Sequence, residues 1–185
     1  MPKIALYGHP GAGKSTFAAA LAEECERAGA PVCRLKLGAP LYAVQSVVYA
    51  VAGRPLSDTG VQDGPLLNAL GSAMRRINPE ALTAPFAERV REAEALDPKA
   101  VLICDDMRAS DMSAVLTLGF HLVEVAAPDG VRRRHKAGRG DLAAGDDSHP
   151  TEAPVTGRPW WRVDNDGTIE QLRGEATRLV REVLR

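Results

Sequence analysis

Residues 7 to 16 read Tyr-Gly-His-Pro-Gly-Ala-Gly-Lys-Ser-Thr and follow directly on the apolar run Ile4-Ala5-Leu6. Gly8, Gly13, Lys14 and Ser15 satisfy G-x-x-x-x-G-K-[ST], with Gly11, Ala12 and Thr16 completing the loop. Glycine leaves room for main-chain N–H groups to turn inward, and successive inward amides form an anion-binding nest. The helix that follows aims the positive end of its dipole at the same point. Lys14 adds a point charge suited to β and γ phosphates, and the Ser15 hydroxyl can ligate Mg²⁺. A plain strand-to-helix turn needs one glycine rather than this pattern. ATP and Mg²⁺ are therefore the expected ligands of the loop.

Magnesium held at such a loop needs a second anionic group. Val101-Leu102-Ile103-Cys104 is an apolar run ending in Asp105 and Asp106, and ligands of open α/β sheets bind beyond the carboxyl ends of the strands. Neighbours on a strand face opposite ways, so one of the two acids is expected to point at the metal. Arg132, Arg133, Arg134 and Arg139 lie in a charged stretch over 129–159 that is rich in Gly and Pro. A closing lid there would set guanidinium groups against the oxygens of a transferred phosphoryl group. Three consecutive arginines cannot share one helix face, so not all of them act. Lys36, Arg75, Arg76 and Arg108 are candidates for holding a second, anionic substrate. Gln62 and Asp63 stand in a polar loop over 54–64. They could read a base edge or a sugar hydroxyl, with a turn and helix cap as the alternative reading.

The elements that must position these residues alternate. Strands are expected over 4–7, 31–38, 100–105, 121–127 and 162–165, and helices over 14–29, 39–53, 65–78, 79–96, 110–119 and 167–185. Pro79 is expected to open the 79–96 helix and Pro85 to kink it. The stretch 129–159 is expected to carry little fixed structure. Such alternation predicts a mostly parallel five-stranded sheet with helices on both faces. The 185 residues suit one domain over 1–185, with a helical insert over 39–96. The apolar helix 39–53 is expected to face the core, with a dimer interface as its rival, so monomer and homodimer both stay open.

Composition narrows the classes further. Aromatic residues make up 4% of the chain, so Ala, Val and Leu must fill the core. A formal net charge of -1 argues against bulk nucleic-acid binding. No apolar run approaches the roughly 20 residues of a membrane span. Strand-like sequence starts at once, with no signal peptide in view. Cys25, Cys33 and Cys104 are odd in number and lack C-x-x-C spacing, which speaks against a disulfide framework or a zinc site. A cytoplasmic setting is expected. A guanine-specific switch would show N-K-x-D, which Val163-Asp164-Asn165-Asp166-Gly167 is not. A motor or AAA-type ATPase would need a longer chain.

Taken in order, "GHPGAGKST", "PLLNALGSAMRRINPEAL", "CDDMRASDM", "DSHPTE" and "VDNDGTIEQL" resemble the phage-type deoxynucleoside monophosphate kinases over nearly the whole chain. The resemblance implies a P-loop NTPase three-layer α/β/α fold with an acceptor-binding helical insert and an arginine-bearing lid. It implies phosphoryl transfer from ATP to a (deoxy)nucleoside 5'-monophosphate. Asp106 and Arg108 align with the family's D-x-R, which would set Asp106 near the metal or acceptor phosphate and make Arg108 a phosphate clamp. Arg75 or Arg76, in the L-x-x-L-G-x-x-x-R segment, would hold the nucleotide's phosphate. His149 and Glu152 would serve positioning or lid closure, and Asn165 and Gly167 would touch adenine through the main chain. The chain departs from the family in carrying Ala-Ser-Asp-Met after Arg108, and Thr151 where Ser is usual. A kinase of another small metabolite and a P-loop regulatory protein with slow ATP hydrolysis are the alternatives.

Overall fold

The apolar runs pair side by side in one sheet. In the computed structural model, which describes residues 1–138, 140–143, 149–150 and 153–185, the strands are β1 (Lys3–Tyr7), β2 (Val32–Leu35), β3 (Val101–Cys104), β4 (His121–Ala126) and β5 (Trp161–Asp164). They are parallel throughout and run in the order β2-β3-β1-β4-β5. The helices are α1 (Lys14–Arg27), α2 (Ala39–Val51), α3 (Gly64–Ile77), α4 (Thr83–Leu96), α5 (Met112–Thr117), α6 (Asp129–Ala137) and α7 (Ile169–Val183). A parallel sheet must be covered on both faces, and residue alternation along each strand shows that it is. Ile4 and Leu6 face a core with Phe17, Leu21 and Leu179 from α1 and α7. Ala5 and Tyr7 face the opposite layer, with Phe86, Val90, Met107 and Phe120.

α2, α3 and α4 fall between β2 and β3 in the chain. Gln45, fully buried, ties this insert together: its amide donates to Val61 O (2.8 Å) and accepts from Asp63 N (2.9 Å). Gln45 is also the one buried residue of α2, while Val47 and Val51 are 61% and 84% exposed. The outer face of this helix therefore does not enter the core, contrary to the expectation from its composition.

Two further expectations are corrected. α4 starts at Thr83, because Asn78 organises a turn first: its side chain accepts from Glu80 N (3.0 Å) and its carbonyl from Ala81 N (3.0 Å). Pro85 is thus the third residue of α4, where a missing N–H leaves nothing unbonded, and it neither opens nor kinks the helix. The charged stretch begins with a nine-residue helix, α6. Asp129 in its first turn and Arg134, His135 and Lys136 in its last complement the helix dipole. Asp129 also pairs with Arg132 at 2.6 Å. Among the described residues no helix is long and apolar enough to cross a membrane.

Candidate active site

A cleft of about 590 Å³ opens at the carboxyl ends of the strands. The glycine-rich loop forms one wall. Gly13, at φ +97°, precedes α1, and a Cβ there would stand 2.3 Å from Asn165 Nδ2. A Cβ on Gly8 would meet the Val125 carbonyl at 2.1 Å, so the loop fits only without side chains at these points. Asn165 is buried and donates from Nδ2 to Ala12 O at 2.9 Å. It therefore braces the loop from the end of β5 through its side chain, a role the sequence reading, which gave it a main-chain adenine contact, did not foresee. Lys14 donates to Gly8 O (2.7 Å) and His9 O (3.2 Å). Gly11, Gly13, Lys14, Ser15 and Thr16 line the cleft, while Ala12 is buried behind them. Gly167 lines it too, beside Thr168 at the start of α7.

The two acids after β3 have different partners. Asp105 is 3% exposed and faces side-chain cations, Arg34 Nη2 at 3.1 Å and Lys36 Nζ at 3.5 Å. Asp106 accepts main-chain N–H groups, Leu37 N at 2.8 Å and Gly38 N at 2.9 Å. It thereby ties the end of β3 to the start of α2. Asp106 in this way fixes the segment that enters α2.

The insert and the loop after β3 form the far wall. Lys36, Gln62, Arg75 and Arg108 all line the cleft, together with Tyr42 and Asn68. Gln62 donates from Nε2 to the Tyr42 hydroxyl at 2.9 Å. Arg75 Nη2 donates to both oxygens of Asp111, at 2.9 and 3.2 Å. Asp63 and Arg76 do not join this wall. Asp63 caps α3 by accepting from Leu66 N (3.1 Å) and from the Tyr49 hydroxyl (2.7 Å), which is the alternative its sequence context allowed. Arg76 is exposed, one residue on from Arg75 and so turned by about 100° around the axis of α3.

α6 approaches the loop from the third side. Arg134, His135 and Lys136 line the cleft, and His135 Nδ1 lies 2.9 Å from Gly11 O. Arg132 donates to Pro10 O (3.4 Å) in the loop and to Asp129, and is not among the residues lining the cleft. Arg133 is exposed. His149 is half-buried outside the cleft lining. Arg139 and Glu152 lie outside the described residues. The sequence reading missed Arg34, Asp111, His135 and Lys136. Asp111 was visible as an acid three residues after Arg108, and the two basic residues as the continuation of the arginine run.

Comparison with known families yields a match over residues 4–114 to the ATPase family associated with various cellular activities (AAA). The chain belongs to this family. A chain of this length therefore does hold an AAA-type core, contrary to the expectation from its shortness: the matched region runs from β1 into α5. Membership in the AAA family implies ATP as the nucleotide and, as a rule, Mg²⁺ with it. Comparison with curated proteins finds no match. Solved structures share the fold. The APS kinase of Mycobacterium tuberculosis, in complex with AMPPNP and APS, is 18% identical with a TM-score of 0.54, over 97% of each chain. The shikimate kinase of Acinetobacter baumannii, in complex with shikimate, is 14% identical with a TM-score of 0.53, over 100% of this chain and 93% of that one. A Thermus thermophilus protein is 23% identical with a TM-score of 0.56, over 98% and 97%. Fold class is thus a P-loop NTPase sheet flanked by helices.

Proposed function

We propose that the chain is an ATP-dependent kinase that moves the γ-phosphoryl of ATP to the phosphate of a (deoxy)nucleoside 5'-monophosphate, giving the diphosphate. The observation that carries this reading is one continuous cleft with a phosphate-binding loop at one end and Lys36, Arg75 and Arg108 at the other. A donor triphosphate and an anionic acceptor would meet end to end in it. The main-chain amides of residues 8–15 and Lys14 would hold the donor phosphates. Arg108 and Arg134 would stand against charge building on the transferred oxygens, and Arg75 would hold the acceptor phosphate. A guanidinium suits a phosphate because it offers paired N–H donors in one plane. The acceptor is already an anion, so alignment and electrostatics suffice, with no covalent enzyme intermediate.

The donor set fits Mg²⁺. The Ser15 hydroxyl and the Asp105 carboxylate are hard oxygen ligands on the same cleft, and Mg²⁺ at phosphate sites takes few protein ligands. Among the described residues no cluster of three or more His, Cys, Asp or Glu competes as a metal site. Asp105 suits this role better than Asp106. Its partners are flexible cationic side chains, which can swing aside, whereas those of Asp106 are fixed amides. When bound, Mg²⁺ would neutralise charge on the β and γ phosphates. The helices over 39–96 would form the acceptor side, and α6 with the residues after it the lid over ATP.

An assay of phosphoryl transfer to all common NMPs and dNMPs, with Lys14→Ala as control, tests the reading. Transfer to at least one nucleotide is expected, and the variant should keep its fold yet lose about 10³-fold in rate, roughly 4 kcal/mol of transition-state stabilisation. A fully active Lys14→Ala enzyme would refute the role of the loop. The structural neighbours support a second reading: they include kinases of APS and of shikimate. Turnover of a sugar or acidic metabolite with none of any nucleotide would decide for it.

A further inference from the structure

Asp111 is the most deeply buried ionisable group of the cleft, 1% exposed, and the reading above gives it no task. It lies at the end of the short 3-10 turn Ala109–Asp111 that follows Arg108. Its carboxylate accepts from Arg75 Nη2 through both oxygens (2.9 and 3.2 Å), from the Arg108 N–H (3.2 Å) and from the Ser110 hydroxyl (3.2 Å). One carboxylate therefore joins two cationic residues that are far apart in sequence, one on α3 and one on the loop after β3, and both line the cleft. A buried ion pair adds little net stability, because desolvation offsets the attraction. What it supplies is geometry: a long, flexible side chain is held in one orientation, which otherwise costs side-chain entropy when a ligand binds. Gly71 completes the arrangement. It is buried in α3, and a Cβ there would lie 3.2 Å from Arg75 Nη1. The absent side chain leaves the track along which the guanidinium lies.

We propose that Asp111 is a positioning residue: it holds Arg75, in register with Arg108, as a pre-formed anion clamp for the phosphate of the acceptor, with Gly71 giving the guanidinium room. The proposal rests on the reading of this wall as the acceptor side. A guanidinium has five donors, and Asp111 takes those of one nitrogen, so the clamp meets an incoming phosphate from a fixed platform. Asp111 touches no substrate itself and acts through Arg75.

Two measurements test this on the intact protein. The first is the steady-state KM for acceptor and for ATP with the best nucleotide of the panel. The second is calorimetric binding of inorganic phosphate to protein saturated with Mg²⁺ and AMPPNP, which fills the donor site and needs no turnover. Arg75→Ala should raise the acceptor KM and the phosphate Kd about 30-fold, and Asp111→Asn about 10-fold. The KM for ATP should stay within about 2-fold in both, as expected for contacts made only on the acceptor side. In the double variant Asp111→Asn should add almost nothing, because its partner is gone. A solely structural Asp111 would instead shift both KM values and add fully to Arg75→Ala. Gly71→Ala covers the case in which Asp111→Asn fails to fold. Alanine favours helix over glycine, so its melting temperature should not fall, while both acceptor readouts weaken about 3-fold as Arg75 shifts. Strong transfer with unchanged acceptor KM and phosphate Kd in the variants sinks the clamp and spares the kinase. Asp111-dependent phosphate binding without transfer to any nucleotide spares the clamp and sinks the kinase. No phosphate binding by the wild type together with no transfer to any nucleotide overturns both.

Discussion

Residue type alone assigns little in this cleft; partners decide. Asp105 and Asp106 are adjacent, yet one faces cations and the other main-chain amides. Arg75 and Arg76 are adjacent, yet one lies in the cleft and the other in solvent. Asn165 is the sharpest case. Its side chain reaches across 153 positions in sequence to hold the Ala12 carbonyl, inside a loop whose neighbouring glycine has no room for a methyl group. Replacing it with alanine leaves that buried carbonyl without its side-chain donor and opens a void beside Gly13. A loss of about 1–3 kcal/mol is expected for an unsatisfied buried group. Asn165→Ala should therefore lower the denaturation midpoint and weaken ATP binding together, as read by urea titration and by nucleotide calorimetry. An unchanged ATP Kd would show that the loop holds its shape without the brace.

At the scale of elements, the strands deliver the chemistry and the helix starts receive it. Asp106 joins the end of β3 to Leu37 and Gly38, the two residues that lead into α2, and α2 carries Leu41 and Tyr42 into the cleft. Asp106→Asn keeps the shape but sets an amide N–H₂ against a main-chain N–H. It should cost about 2–4 kcal/mol, since charge-assisted bonds are among the stronger ones. The acceptor KM should rise more than the ATP KM, because α2 borders the proposed acceptor end; equal shifts would mean that α2 does not shape that end. These ties also mark what could be read in the sequence. β1, β3 and β4 were legible because buried parallel strands leave apolar runs such as Val101-Leu102-Ile103-Cys104, whereas β2 and β5, each interrupted by an arginine and only partly buried, were legible from the strand-helix alternation. The phosphate loop was legible because its spacing is dictated by main-chain geometry. α6 was not: its nine residues are mostly polar or basic, with no apolar stripe of helical period, and it is held by its end charges and by Arg132 and His135 contacts to the loop. The start of α4 was misread because Asn78 builds a turn where Pro79 suggested a helix. Asp111 could be seen as an acid three residues after Arg108, but its pairing with Arg75, 36 positions away, could not.

The whole molecule is two apolar layers either side of one sheet, built largely from small aliphatic side chains. Two of the three cysteines lie inside these layers, Cys25 in one and Cys104 in the other. Burial, aided by Glu24 and Glu26, pushes the Cys25 thiol up to about 11 from an ordinary 9.0. Burial, with the charge of Asp106 next, holds the Cys104 thiol well above its ordinary range. The folded protein thus keeps protons that the unfolded chain releases once the pH passes about 9. Where the native state binds more protons than the unfolded state, stability falls as pH rises. The contribution of Cys25 is full below pH 9.0 and is lost as the pH climbs through about 11. Urea midpoints measured at steps from pH 8 to 11 should therefore decline, and the decline should be shallower in Cys25→Ala, with Cys104, Tyr7, raised chiefly by burial, and Tyr49, raised chiefly by its hydrogen bond to Asp63, contributing to the slope that remains. The alanine variant starts from a lower midpoint at pH 8, because it leaves a small void in the buried cluster that holds Cys25, so slope and not midpoint is the deciding quantity. Identical slopes in the two proteins would mean that the Cys25 thiol titrates as freely in the fold as in the open chain, and that this layer admits water where the packing says it does not.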